Sequence, residues 1–340
     1  MNSKLLLTGT SVIAVVLGSY YFFNDHQLNH LNGGVAPRHP ASAIEKQPVV
    51  TSTPSGAKQT GSLHEVKRSN TAEHFRDATD YREFLASLLN SAQNGDRDAQ
   101  YYVSAALRFC NVGYRSYFDR GNKRRRTLDE AMQHATQLPG FSSDEARNVY
   151  DKCHVLKEGD ASQFGSADEW LAASAAAGQP LAQATRAIDL FLQSKIAVAD
   201  GSGTLSASGK DPAELRRSSI TLAMEAIKSK DPEVLWKMGD MQTAVTDSWS
   251  EADREQWVWR LAACQRGFDC SAKASWYEFS CRFDSLCQPG ETGVDYIRRA
   301  TANDFDSVQE EARALNANIE AGKWGELKIA KLAEPKRADS

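Results

Sequence analysis

A chain of 340 residues with 41% hydrophobic content is long enough for one large or two ordinary domains with a real core, which excludes disorder throughout. A formal net charge of −4 at pH 7 gives no global attraction to nucleic acid or anionic lipid.

In chain order, the first element predicted is a membrane anchor over residues 5–23, "LLLTGTSVIAVVLGSYYFF", after a short cytoplasmic N-terminus at 1–4. The run is uncharged and matches the roughly 20 helical residues that a bilayer core requires. Lys4 precedes it and no Lys or Arg follows until Arg38, so the positive side is the N-terminus and the rest of the chain is expected outside the cytoplasm. Tyr20 to Phe23 read as an interfacial aromatic belt. The alternative is a cleaved signal peptide, for which Val16 and Gly18 make a tolerable cleavage site.

Residues 24–75 read as a flexible linker rich in Pro, Gly, Ser and Thr, with an r.m.s. reach of about 35–40 Å. Its histidines are irregularly spaced and read as solvated. "SGAK" at 55–58 has a Ser-x-x-Lys spacing but lies where nothing preorganises a nucleophile.

Residues 76–335 read as helical throughout, with Pro180, Pro212 and Pro232 at first-turn positions. Helix–turn–helix units align on their turns at Gly95, Gly178, Lys230 and Gly267. Ala92, Ala175, Ile227 and Cys264 stand three residues before the turn; Ala99, Ala182, Val234 and Ser271 stand four after it. Small residues at these places let antiparallel helices approach closely, and a glycine between them supplies the left-handed backbone that ends the first helix. The interval from Gly95 to Gly178 spans about two helical-repeat periods, so a degenerate unit is expected at 127–156, its second helix capped by Ser143. "GVDYIRRATANDFDSVQEEARALNANIEAGKW" reads as a last, capping pair.

The pattern W/L-x-x-A-A-x-x-G-x-x-x-A, clearest at Trp170 to Thr185 and Leu88 to Leu107 and fair at Trp259 to Phe279, resembles the Sel-like repeat, a relative of the tetratricopeptide repeat. Lys230 departs from it at the turn glycine, and the usual LG-x-x-Y-x-x-G ending of the second helix is largely missing. The resemblance implies an all-α fold, an α-solenoid of stacked antiparallel hairpins used as a protein-binding scaffold, and implies no reaction.

Six cysteines, Cys110, Cys153, Cys264, Cys270, Cys281 and Cys287, lie beyond the export segment, and an even count there reads as disulfides. Both close pairs enclose five residues rather than the two to four of a zinc knuckle, so no metal site is expected. "AACQRGFDC" looks like the cysteine-rich exported branch of the family, in which a disulfide ties the two helices of one hairpin; this pairs Cys264 with Cys270. Cys281 and Cys287 look like a second staple, a crossed pairing of Cys270 with Cys281 stays open, and Cys110 and Cys153 then pair by default.

Candidate chemistry is sparse. "GTLSASGKD" at 203–211 echoes a phosphate loop but has one residue too many between Gly203 and Gly209, and Asp211 where Ser or Thr would hold Mg²⁺. His74, His134 and His154 form no recognisable constellation, and the helical tryptophans read as core. The remaining candidate is "NVGYRSYFDRGNKRRR", where Tyr114, Tyr117 and Phe118 interleave with Arg115 and a basic run including Arg124, Arg125 and Arg126. Such residues are common partner anchors. The ordinary reading, which is favoured, has the aromatics covering a hairpin end and the charges solvated.

The expectation is therefore a non-enzyme without cofactor: a single-pass bacterial inner-membrane protein whose periplasmic solenoid binds another envelope protein or peptide, and no nucleic acid. The alternative is a cell-envelope enzyme or small-molecule-binding protein acting on cell-wall material.

Overall fold

The computed structural model of the chain describes residues 70–119, 125–137, 142–199, 211–245, 249–272 and 290–331. Among these, the α-helices are α1 Asn70–Asp77, α2 Tyr81–Gln93, α3 Arg97–Tyr117, α4 Leu128–Ala135, α5 Ser143–Glu158, α6 Ala167–Ala176 and α7 Pro180–Ala199. They continue with α8 Pro212–Ile227, α9 Pro232–Val245, α10 Trp249–Gln265, α11 Gly293–Thr301, α12 Phe305–Glu320 and α13 Lys328–Lys331. No strand occurs among the described residues, and the all-α class expected from the sequence is the class observed. The candidate anchor at 5–23 and residues 24–69 of the expected linker at 24–75 lie outside them; residues 70–75 are not linker but the start of α1, where the buried Phe75 anchors the helix. No helix of the described residues is long and apolar enough to cross a membrane.

Helix starts follow local chemistry. Asp96 accepts from the amides of Asp98 and Ala99 at 3.0 and 3.1 Å, so α3 begins on a capped first turn. Thr127 with Glu130 and Thr292 with Asp295 form capping boxes for α4 and α11. Pro180, Pro212 and Pro232 open α7, α8 and α9, where a missing N–H is harmless. The cap of α5 is Ser142, whose hydroxyl accepts from Glu145 N at 3.1 Å, and not Ser143, which is the first helical residue. Of two adjacent serines, only the one outside the helix can turn its oxygen onto the N3 amide.

Helix ends share one geometry. Gly95, Gly178 and Gly267 have φ of +90°, +80° and +96°, and each amide bonds back to the carbonyl three residues earlier, on Ala92, Ala175 and Cys264. The next amide reaches one residue further back, to Ser91, Ser174 and Ala263, as in a Schellman end. Gly322, after α12, repeats both bonds and adds a member that the sequence alignment lacked. Ala92, Ala99, Ala175 and Ala182 are buried, so the small residues flanking the turns do sit between close helices.

Lys230 takes the same left-handed conformation, φ +60°, with a side chain attached. That costs an L residue about 1 kcal/mol. The extra chain freedom of glycine offsets about half of this, and the exposed Lys230–Glu320 pair contributes well under about 1 kcal/mol. Lys230→Gly is expected to raise stability by about 0.5 kcal/mol in urea titration; a loss of that size would show that the tie to Glu320 outweighs the strain.

The helices stack in sequence: α2 on α3, α3 on α6, α6 on α7, α7 on α8 and α9, α9 on α10, and α10 on α12. The helix pair expected at 127–156 is present, but against expectation it does not lie between the first hairpin and α6–α7. Helices α4 and α5 pair with each other, and α5 lies on α2 and α3, while α3 packs directly on α6. The cause is in α3 itself. Every residue from Ala99 to Cys110 is buried, and a helix buried on all sides needs neighbours on all sides. One side receives α6 and α7, where Ser104 Oγ donates to Ala167 O at 2.7 Å. The other receives α5 at Gly113, where a Cβ would stand 3.0 Å from Val149 Cγ2. Helix α1 covers α3 with Phe75, whose ring stacks on Tyr81 at 5.2 Å and meets Tyr102 at 5.3 Å.

Candidate functional site

Two cysteine pairs are bridged among the described residues. Cys110 on α3 and Cys153 on α5 have Cα atoms 5.3 Å apart and are both fully buried. Cys264 and Cys270, 5.7 Å apart, close the turn around Gly267 and are half-exposed. The symmetry about that glycine is the arrangement in which both sulfurs meet beside a tight turn. Cys281 and Cys287 lie outside the described residues, and so does Trp276.

The aromatic–arginine segment resolves into two faces. Tyr114, Tyr117 and Phe118 are buried: Tyr114 stacks on Phe118 at 4.6 Å, Phe118 leans on Tyr150 at 5.8 Å, and Tyr117 OH donates to the buried Glu145 at 2.9 Å. Burial, then the Glu158 carboxylate, pushes the Tyr114 phenol above its ordinary pKa. What remains at the surface is basic. Arg115 and Arg125 are exposed, and the Arg125 guanidinium lies 5.5 Å from the Tyr114 ring. Arg126 donates to the carbonyls of Tyr117 and Asp119 at 3.1 and 3.2 Å, placing a cation on the carbonyl end of α3. Lys157 donates to Asn111, and its amine is held below the ordinary lysine pKa by burial and then by Arg125. Arg124 lies outside the described residues.

The imidazoles serve packing: His74 meets Phe84 edge-on at 5.3 Å, and His154 stacks on Tyr150 at 4.5 Å. Among the described residues no group of three His, Cys, Asp or Glu is placed to hold a metal ion. Of the loop 203–211 only Asp211 is described, and it caps α8 by accepting from Ala213 N at 3.0 Å. Trp236 and Trp259 are core residues, while Trp170 is half-buried and donates to Phe164 O at 2.5 Å.

Several charged groups that the sequence reading passed over are buried, Arg108, Arg260 and Lys152 among them. Arg108 on α3 makes a two-pronged pair with Asp189 on α7 at 2.7 and 3.0 Å. Arg260 on α10 meets Asp240 on α9 at 2.7 Å and lies 4.7 and 5.1 Å from the rings of Trp236 and Trp257. Lys152 on α5 donates to Arg76 O at 3.2 Å and lies 5.1 Å from the Tyr81 ring. The signal was a charge inside an apolar helical run, as in "AALRFC" and "LWKMGDM", because such a charge needs an internal partner.

Burial lowers the Lys152 amine to about 8. The folded state therefore holds fewer protons than the unfolded chain between pH 8 and the ordinary lysine value near 10.4. Stability contributed by this group should rise with pH across that window, with a slope approaching about 1.4 kcal/mol per unit, and be flat below it. The gain should disappear in Lys152→Met. Urea midpoints at pH 7.5, 8.5 and 9.5 test this, and parallel curves for the two proteins would refute it.

The most extended polar assembly joins α10, α12 and the C-terminal segment. Arg254 on α10 donates to Asp304 at 2.6 Å, Ser307 at 2.8 Å and both oxygens of Glu311, at 2.9 and 2.6 Å. These donors hold the Glu311 carboxyl below the ordinary range. Lys328 on α13 donates to the buried Glu255 of α10 and lies 3.6 Å from Glu311 of α12. Leu327 and Ile329, on either side of it, are buried, and α13 packs on α8. One short segment thus runs across α8, α10 and α12, each of them ended by a left-handed residue, Lys230, Gly267 and Gly322; α12, the second helix of the capping pair expected from the sequence, ends as the first helices of the hairpins do. The chain matches no known family model, no curated protein and no solved structure.

Proposed function

We propose that the chain is a disulfide-stapled helical-repeat scaffold that binds a peptide segment of another protein on the face formed by the first helices of successive hairpins. The observation that carries this reading is the segment Leu327–Lys331. It is held across α8, α10 and α12 by two buried aliphatic side chains and an ion-paired lysine between them. A surface that receives one short segment has the shape and charge to receive another, and stacked hairpins present such surfaces as extended grooves.

The similarity of its turns to Sel-like repeats, with a left-handed residue after each first helix, supports the same reading. The run at 5–23 and the charge asymmetry around it support the further reading of a scaffold anchored to a membrane with its repeats outside the cytosol, in a bacterial periplasm. The bridged cysteines agree with an oxidising compartment.

A photo-cross-linker at the exposed Glu310 of α12, activated in the native compartment and followed by mass spectrometry, tests the proposal. A reproducible protein partner is expected, and its absence from repeated experiments would count against the scaffold reading.

A further inference from the structure

We infer that the C-terminal segment from Trp324 to Lys331 is a displaceable strap that occupies the peptide groove of its own chain. The ligand it stands in for is a peptide carrying two aliphatic side chains two residues apart with a lysine between them. This rests on the peptide-binding reading above and adds the ligand's chemistry and a means of regulation.

Direction supplies the first argument. Second helices in this fold pack forward: α3 lies on α6, α7 on α8 and α9 on α10. The strap follows the same turn, at Gly322, yet runs backward over α10 to α8, two hairpins earlier. It therefore does not replace a missing second helix; it fills the face of the first helices.

Its chemistry is that of a ligand. Leu327 and Ile329 point into the protein, whereas Lys328 between them is 59% exposed and reaches Glu255 and Glu311. Alternation of apolar anchors with an outward cation is how a short peptide is read by a groove with an acidic rim.

Its attachment is weak enough to exchange. Two buried aliphatic side chains, the half-buried Trp324 and one ion pair, between the exposed Lys328 and the buried Glu255, hold the segment, against the chain entropy of ordering it. Elements with so few buried contacts open first. At its root stand two glycines, Gly322 with φ +67° and Gly325, where a Cβ would meet nothing within 4 Å. A hollow of about 630 Å³ beside that root is lined by Asn318, Lys323, Trp324 and Glu326.

The test uses the full chain carrying Leu327→Asp and Ile329→Asp, which expels the strap, and a fluorescent synthetic peptide of residues 324–334 as the probe. Fluorescence anisotropy should show the peptide binding at least tenfold more tightly to this variant than to the unaltered chain. The same peptide bearing both aspartates should not bind, and Glu255→Gln in the opened chain should weaken binding severalfold. Should the double variant lose its helical circular dichroism, Lys328→Glu serves instead, because it repels Glu255 and Glu311 without touching the core; a severalfold tightening is expected. Equal peptide binding by folded variant and unaltered chain, or undetectable binding by both, overturns the inference and leaves cross-linked partners of the scaffold unaffected. Concentration-dependent dimerisation of the unaltered chain, abolished by the two aspartates, would overturn the peptide assignment by making a second copy the occupant.

Discussion

Paired substitution of Cys110 and Cys153 by Ala is expected to lower stability by about 4 kcal/mol, the chain-entropy value for a bridge across this sequence separation of 43 residues. The same treatment of Cys264 and Cys270, separated by 6, should cost only about 2.4 kcal/mol. The difference follows from loop length, since the longer bridge removes more freedom from the unfolded chain. The location of the loss should differ too. Because α3 packs on α6 without the help of α4 or α5, the main stack should persist while the α4–α5 hairpin opens. Amides of α5 should exchange first in the double variant and be among the protected set in the bridged protein. Mild reductant should act in the opposite order, opening the half-exposed Cys264–Cys270 pair well before the fully buried Cys110–Cys153 pair. A urea midpoint unchanged by the Cys110 and Cys153 substitutions would show that packing of Val149 against Gly113 and the Tyr117–Glu145 bond suffice to hold the hairpin.

What the sequence made legible was mostly backbone chemistry. Glycines at 95, 178 and 267, prolines at 180, 212 and 232 and the small residues around the turns each act through local conformation, so their meaning survives without knowledge of the fold. Lys230 could be aligned with the glycines because its flanking residues fit, and it does adopt their φ. Period counting failed at 127–156, because a spacing of about two repeats is the same whether the middle unit joins the stack or branches from it. The deciding signal was the mostly apolar stretch of α3 from Ala99 to Cys110, interrupted only by Gln100, Ser104 and Arg108 and buried throughout, which reports neighbours on every side.

The candidate site was less legible for a related reason. Tyr114, Tyr117 and Phe118 fall at i, i+3 and i+4, one face of a helix, and Arg115 falls on another; interleaving along the chain therefore separates into core and surface in space. The strap is invisible to periodicity because Leu327, Lys328 and Ile329 are too few to establish a period. Its partner Glu255 lies 73 residues away in sequence.

Removing one partner of the pair Arg108–Asp189 should destabilise the chain by about 3–5 kcal/mol, as expected when a buried charge is left without its counterion. A second carboxylate near the guanidinium, Asp168, is 3.5 Å away and 77% exposed, so it is the weaker partner of the two. Asp189→Asn keeps the shape but removes the charge together with one of the two acceptor oxygens, and Asp189→Leu removes both hydrogen bonds. Replacing both members at once, Arg108→Met with Asp189→Leu, should recover most of the loss, because the desolvation that each charge suffers is relieved together with their attraction. A double-mutant cycle by urea denaturation measures the coupling directly. Strong coupling would mean that the pair sets the register between α3 and α7 and so decides that these hairpins meet with α4 and α5 left outside. If Asp189→Asn shifts the midpoint by less than about 1 kcal/mol, the pair is wet enough to be screened, and the register is held instead by the neutral bonds from Ser104 to Ala167 and from Ser174 to Arg97.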